Sequence, residues 1–209
     1  MSASRGLPDW AVAFHTHRCP YLAIGFRMGN LAMAALRFER TRNRGLLVLP
    51  EFGEGNPYTC IVDGIRAATG AIYGQIMIAK TFYGKLAASF YYPQRGGAIR
   101  YSLRPGFVDQ LERSRFHLLR SRGMDPGDMP PGVIEEVLAW LESLPDDAIF
   151  KVEHEVGFPY QQAQLSYAKT RCARCGEYVM DDFVRNVGGR PLCIPCSYEE
   201  ALRTREQNG

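Results

Sequence analysis

The pattern of apolar and polar positions predicts a long, nearly buried helix close to the start of the chain. From Pro20 to about Arg40 almost every position is apolar, and the exceptions Arg27, Asn30 and Arg37 fall on one stripe. Proline suits the first helical position and favours an extended conformation at the residue before it. The pattern therefore predicts a helix that begins at Pro20 and has one narrow polar face.

Two glycines of this helix, Gly25 and Gly29, lie about one turn apart. Glycine has no Cβ, so another backbone or a ligand can approach the helix closely at these positions. Close packing of a second helix is the simpler of the two explanations. The sequence leaves both open.

The following residues alternate between strand and helix patterns without a regular repeat. A second helix is predicted from about Cys60, after the capping pair Asn56 and Pro57, with Gly70 as its terminator. Residues 94–97 form a turn between two antiparallel strands. These patterns predict an α+β fold in which a mixed or antiparallel sheet packs with helices. The other predicted elements are strands at 46–52, 85–93, 98–104 and 148–156, and helices at 107–122 and 130–145.

The length of 209 residues fits one main domain and a small appendage. We place the division near residue 167. The prediction is an α+β metal-binding domain over residues 1–167 and a four-cysteine zinc-binding domain over residues 168–209.

The C-terminal part contains two CxxC pairs separated by seventeen residues. Each pair presents two sulfurs from one tight turn, and two such turns complete a tetrahedral shell of four thiolates, the usual form of a structural zinc site. The alternatives are a redox-active CxxC, which explains only one pair, and two disulfides, which a reducing compartment disfavours. The sequence therefore predicts a structural zinc ion in a treble-clef-like zinc ribbon, with the ligands Cys172, Cys175, Cys193 and Cys196.

A second group of metal-binding residue types lies in the motif FHTHRCP. In an extended segment alternate side chains share one face, so His15, His17 and Cys19 would converge on one ion. A helix N-terminus would favour the thiolate form of Cys60, and Asp63 lies beside Cys60 on the same helix. Buried structural histidines and a small apolar cysteine explain the same residues equally well. His117 and His154 lie outside any recognisable ligand spacing.

Composition and charge exclude several classes of protein. The apolar share of 46% is that of a folded globular protein, and the start of the chain lacks the apolar run of an export signal. We therefore expect a cytoplasmic protein with reduced thiols and no membrane span. The formal charge of +3 falls to about +1 once four thiolates and one zinc ion are counted, and residues 165–209 carry seven basic against six acidic residues. Nucleic-acid binding is thus not expected.

Several motifs in order along the chain resemble the FmdE family of formylmethanofuran dehydrogenase components. The His-x-His-x-Cys-Pro run leads into a glycine-containing helix, Cys60-x-x-Asp63-Gly-Ile precedes Thr-Gly, and a Gly-Lys-Leu-Ala segment and the four-cysteine tail follow. The resemblance implies a metal held by the first two histidines, Cys19 and Cys60, with Asp63 nearby. The chain departs from the family where Ala71 and Gln75 replace a cysteine and a lysine, and where Thr16 and Tyr21 replace glycines.

The resemblance implies a metal-binding accessory protein that accompanies molybdenum or tungsten enzymes of one-carbon metabolism, with a protein partner or as a homo-oligomer. The second metal would be zinc, nickel, copper or iron, since all four accept imidazole and thiolate ligands. One alternative is a small metalloenzyme in which Asp63 orients a ligand or takes a proton. The other alternative is a metal or metallocofactor carrier. Whether the chain is an enzyme stays open.

Overall fold

The computed structural model describes residues 6–40, 45–92, 97–130, 132–154, 157 and 166–207. Residues 1–162 form one compact unit and residues 163–209 another. Within the described ranges, no helix combines the length and apolar character that a membrane crossing needs.

The first unit combines seven α-helices and a four-stranded sheet within its described residues. The sheet is antiparallel throughout, in the order β1-β2-β3-β4, with Phe90 opposite Ile99 and Tyr101 opposite Val152. The predicted α+β class is therefore confirmed. Its elements are α1 Asp9–His15, α2 Pro20–Leu36, β1 Leu47–Pro50, α3 Cys60–Thr69, β2 Ala87–Tyr92, β3 Gly97–Leu103, α4 Pro105–Glu112, α5 Arg115–Ser121, α6 Val133–Ser143, α7 Asp146–Ile149 and β4 Phe150–His154.

The long helix α2 lies in the core of this unit, where it contacts α3, α6 and β3. Even Arg27 of its polar stripe is buried. The guanidinium donates to the carbonyl oxygens of Leu141 and Leu144 at 2.8 and 2.7 Å and pairs with Asp146. Arg27 therefore satisfies carbonyls at the C-terminal end of α6 that would otherwise lack partners.

Helices α2 and α3 cross at their glycines. A Cβ on Gly25 would lie 1.9 Å from the carbonyl oxygen of Ile61, and one on Gly29 would lie 2.7 Å from the Cβ of Ala68. Close helix packing is thus the explanation that the structure supports for this pair of glycines. The crossing brings the N-terminal ends of the two helices side by side.

Two predicted elements need correction. The single helix expected over residues 107–122 is two helices, because Ser114 has an extended backbone and its side chain caps α5 by accepting from the backbone N–H of His117. The strand expected over residues 148–156 begins only at Phe150, because the preceding residues form the short helix α7, which the sequence pattern missed, as it missed α1. The predicted turn at residues 94–97 lies outside the described residues, apart from Gly97.

The second unit consists of two hairpins and a helix. The strands β5 Lys169–Arg171 and β6 Tyr178–Met180 form the first hairpin, and β7 Arg185–Val187 and β8 Arg190–Leu192 form the second. Helix α8, Ile194–Gln207, follows directly. The buried core of this unit's described residues is small and consists of Cys172, Leu192 and Cys196.

Candidate metal centre

Three helix ends hold the first group of metal-binding residue types. His15 is the last residue of α1, Cys19 is the N-cap of α2 with an extended backbone, and Cys60 is the first residue of α3. Thr16 between the histidines adopts a left-handed conformation with φ 75°. The reversal at Thr16 brings His17 back toward His15, and their ring centroids lie 4.4 Å apart.

The predicted extended segment over this motif is therefore wrong, although its side chains do come together. Alternation along a strand does not align His15 with His17. Instead the chain leaves α1 through a left-handed residue, a conformation that glycine adopts more readily than threonine.

The four donor side chains form a compact set. One imidazole nitrogen from each of His15 and His17 and the sulfurs of Cys19 and Cys60 all lie within 4.8 Å of one another. The Nε2 atoms of both histidines are buried and have no hydrogen-bond partner among the described residues. Buried polar atoms are normally paired, because desolvating an unpaired one costs about 1–3 kcal/mol. A transition metal would satisfy both nitrogens, so the donor set fits such an ion.

Asp63 orients one of these imidazoles. Its carboxylate lies 3.0 Å from Nδ1 of His15 and also accepts a hydrogen bond from Nη1 of Arg66 at 3.1 Å. An Nδ1–H donated to a carboxylate leaves Nε2 free for a metal. The bond to Asp63 raises the pKa of His15 to about 9, and the same bond lowers the pKa of Asp63. In the metal-free protein His15 is thus protonated at pH 7, and metal binding would release that proton.

The two thiols of the set have opposite properties. A hydrogen bond from the Cys19 thiol lowers the pKa of Cys60 to about 5, and the imidazolium of His15 acts in the same direction. Sharing that hydrogen bond, together with burial, raises the pKa of Cys19. Burial lowers the pKa of His17. The metal-free cluster therefore carries one thiolate, on Cys60.

In the chelator-treated protein, iodoacetamide is expected to alkylate Cys60 much faster than Cys19 at pH 7. Only the thiolate reacts, so a pKa of about 5 keeps Cys60 reactive until the pH falls below that value. Peptide mapping by mass spectrometry across the pH range would give the rate at each cysteine. Chain unfolded in urea is the control, and there both should react with the pKa of an ordinary thiol, about 8.5. If the alkylation rate at folded Cys60 reached half its maximum near the pH of an ordinary thiol pKa, about 8.5, the thiolate would not be on Cys60.

Two clefts open beside Cys60. The Arg66 cleft, of about 660 Å³, is lined by Cys60, Asp63, Arg66, Lys80 and Phe82 among others. The His117 cleft, of about 700 Å³, is lined by Tyr58, Cys60, Glu112 and His117 among others. The first donor set is thus accessible from the surface at Cys60, which lines both clefts.

Apart from Cys60 and Asp63, sequence reasoning missed the residues that line these clefts. His117, expected to be outside any site, lines the second cleft, and its Nδ1 lies 2.7 Å from the hydroxyl of Tyr21. Lys80 and Phe82 belong to an irregular segment without any periodic signal. Arg66 had one signal, its position three residues after Asp63 on the same helix. Of the four positions that depart from the family, Ala71 is fully buried, whereas Gln75 is exposed at the end of a short 3-10 helix.

The other four cysteines form a second donor set in the C-terminal unit. The sulfurs of Cys172, Cys175, Cys193 and Cys196 all lie within 4.8 Å of one another. Gly176, with φ 77°, closes the first CxxC turn, and the second CxxC opens α8. The backbone N–H of Cys193 donates to the sulfur of Cys172 at 3.3 Å. The backbone N–H groups of Cys175 and Cys193 lower the pKa of Cys172 to about 6 and favour its thiolate.

Comparisons with known proteins found a curated relative, a solved structure and a family model that match this chain. A curated relative from Archaeoglobus fulgidus, a probable S-adenosyl-L-methionine-binding protein, is 26% identical over 198 residues. The match covers 90% of this chain but 51% of the relative, so the chain spans about half of that protein's length. The crystal structure of a tungsten formylmethanofuran dehydrogenase FmdE-like protein from Syntrophus aciditrophicus shares the fold, with a TM-score of 0.62. The aligned parts are 18% identical and cover 90% of this chain and 89% of that one.

The match to a family model shows the family of this chain. The model described as FmdE, Molybdenum formylmethanofuran dehydrogenase operon, matches residues 14–151. The matched range includes His15, His17, Cys19 and Cys60, the whole of the first donor set, together with Asp63. It also covers most of the described elements of the first unit. The chain therefore belongs to the FmdE family.

Proposed function

We propose that this chain is a metal-binding accessory protein with two metal sites of different kinds. The observation that carries the proposal is the first donor set, in which two buried imidazole nitrogens without partners among the described residues lie beside two sulfurs. His15, His17, Cys19 and Cys60 would hold zinc, nickel, copper or iron, because each of these accepts imidazole and thiolate. Cys172, Cys175, Cys193 and Cys196 would hold a structural zinc ion in a treble-clef-like zinc ribbon.

The expected setting is one-carbon metabolism, in association with a molybdenum or tungsten enzyme. The family description and the name of the Syntrophus protein both refer to formylmethanofuran dehydrogenase. The chain has six cysteines, and the two donor sets use all six. No thiol is then left to hold an electron-transfer cluster, so a partner would supply the redox centres.

The residues around the first site would hold its ligands in place and leave the ion accessible. Asp63 would fix the orientation of His15, with Arg66 holding the carboxylate in place. Cys60 would connect the ion to the two clefts, since it lines both of them. A bound metal would supply Lewis acidity at this position.

Two alternatives use the same geometry. A small metalloenzyme would place a substrate in a cleft beside Cys60, and a carrier would release its ion there. The hydrogen bonds of Asp63 to His15 and Arg66 favour an orienting role over proton transfer. Turnover by the isolated chain would support the enzyme, and release of the ion to a chelator without unfolding would support the carrier. The Archaeoglobus name adds S-adenosyl-L-methionine as a ligand to test, although only about half of that protein is matched.

Replacement of His15 by alanine is expected to remove one metal ion per chain. The variant loses a nitrogen ligand and the contact that Asp63 makes with it, whereas the four-cysteine set is untouched. Elemental analysis of the purified full-length chain, with metals counted per chain, would show a fall from about two ions to about one.

The matched control is His154→Ala, because His154 is exposed near the end of β4 and belongs to neither donor set. Its metal content should equal that of the wild type. If His15→Ala kept the full metal content, the His-x-His-x-Cys motif would be a packing feature and the proposed site would be wrong.

A further inference from the structure

The Arg66 cleft has the size and position of a ligand site. Its volume of about 660 Å³ lies within the range of small-molecule pockets, about 300–1,000 Å³. Cys60 and Asp63 lie in its wall, so a molecule in the cleft is adjacent to the first donor set. The character of the remaining wall decides what kind of molecule fits.

Two cationic side chains from different segments line the cleft. Arg66 has one hydrogen bond to Asp63, while its Nε is buried and has no partner among the described residues. Lys80 pairs with Glu54 at 3.3 Å, but both side chains are exposed, and such surface pairs are weak. A ligand anion can therefore replace the Lys80 pair without leaving a buried charge unpaired. The cleft favours a ligand with an acidic group.

The rest of the wall is apolar and aromatic. Ile78 lines the cleft, as do Tyr73, which is 82% exposed, and Phe82, which is 60% exposed. Phe82 also has a left-handed backbone with φ 54°, which is unfavourable for a residue with a Cβ. Exposed aromatic side chains beside a cleft gain stability when a ligand covers them. The cleft thus combines a cationic part with an apolar part.

We propose that the Arg66 cleft binds an organic monocarboxylate with an apolar or aromatic group. Its carboxylate would lie between Arg66 and Lys80, and its apolar part would cover Phe82. A monoanion suits the site better than a phosphate dianion, because the carboxylates of Asp63 and Glu54 lie close to the two cations and repel additional negative charge. This proposal rests on the proposed function, which places a metal ion beside the cleft, and it names a ligand class for the same site.

Phenylacetate and its neutral amide, phenylacetamide, test this inference on the full-length chain. They share a phenyl group and differ in charge, so the ratio of their dissociation constants by NMR titration reports the contribution of the cations. Phenylacetate should bind at least about fivefold more tightly, since hydrogen bonds to charged groups are stronger than neutral ones. Lys80→Gln should remove most of this preference while phenylacetamide binding stays unchanged.

Lys80 is the preferred position because its contacts are with Glu54 and Phe82, not with the donor set. Arg66→Gln should have the same effect, and Arg113→Gln, at the end of α4, is the control that should leave binding unchanged. Equal binding of acid and amide, or a preference that survives Lys80→Gln, would overturn the inference. So would inorganic phosphate that displaces phenylacetate at equal concentration.

Metal analysis of the same samples separates this inference from the proposed function. A chain that prefers phenylacetate but holds no ion at the first donor set would support the ligand class and refute the metal site. A chain that holds the ion but does not distinguish acid from amide would refute the ligand class alone.

Discussion

Replacement of Gly64 by alanine is expected to destabilise the first unit by at least about 3 kcal/mol, more than an ordinary overpacked substitution. The added Cβ would lie 2.1 Å from the carbonyl oxygen of Leu22 and 2.5 Å from the backbone nitrogen of Phe26. Both obstacles are backbone atoms of α2, so no side-chain rotation relieves the clash. Relief requires α2 and α3 to separate, and these helices carry Cys19 and Cys60. Urea unfolding of the full-length variant would measure the loss.

The matched control is Gly106→Ala in α4, where an added Cβ meets nothing within 4 Å. Both substitutions add the same methyl group to a helical glycine, and only Gly64→Ala meets backbone atoms, so the difference between them reports the helix contact. The control should be slightly more stable than the wild type. If Gly64→Ala were equally stable, α2 and α3 would not be in contact at this point, and the placement of Cys19 beside Cys60 would lose its support.

Much of this fold could be predicted from local patterns. The apolar run after Pro20 predicts α2. Asn56 caps the short 3-10 helix Pro57–Thr59 that leads into α3, and Gly70 is the C-cap of α3. The antiparallel β2 and β3 follow from two strand patterns on either side of a turn. These features depend on residues close together in sequence, which is why a single sequence shows them.

The parts that could not be predicted depend on long-range contacts. Arg27 is polar in the sequence but buried, because the carbonyl ends of α6 more than a hundred residues away accept its hydrogen bonds. The Arg66 cleft combines a helix with Lys80 and Phe82 from an irregular segment that has no periodic pattern.

The first donor set was predicted in its residues but not in its local structure. Thr16 has a left-handed backbone, which a β-branched residue rarely adopts, so nothing in the sequence itself indicated a helix end there. The family resemblance did contain a signal, because glycine is usual at this position and glycine favours that conformation. The glycine that is usual in the family thus indicates a left-handed residue between the two histidines.

Replacement of Cys193 by serine is expected to unfold residues 169–203 of the second unit while the first unit stays folded. The buried side chains of the second unit's described core are Cys172, Leu192 and Cys196, too few to stabilise a fold of this size alone. A structural zinc ion contributes about 10–16 kcal/mol in small domains at pH 7, and serine is a poor substitute for a thiolate ligand. The variant should lose one zinc ion per chain, and proteases should cleave it within residues 169–203.

Cys60→Ser provides the cross-control, because it removes one thiol from the other donor set and leaves the four-cysteine set intact. That variant should lose the first metal while residues 169–203 stay resistant to protease. Each substitution thus affects one ion, since ligands from separate segments serve separate sites. Retention of zinc and protease resistance in Cys193→Ser would contradict the structural zinc site. Loss of both ions from either variant would show that the two donor sets are coupled, and the division of the chain into two independently stabilised units would be wrong.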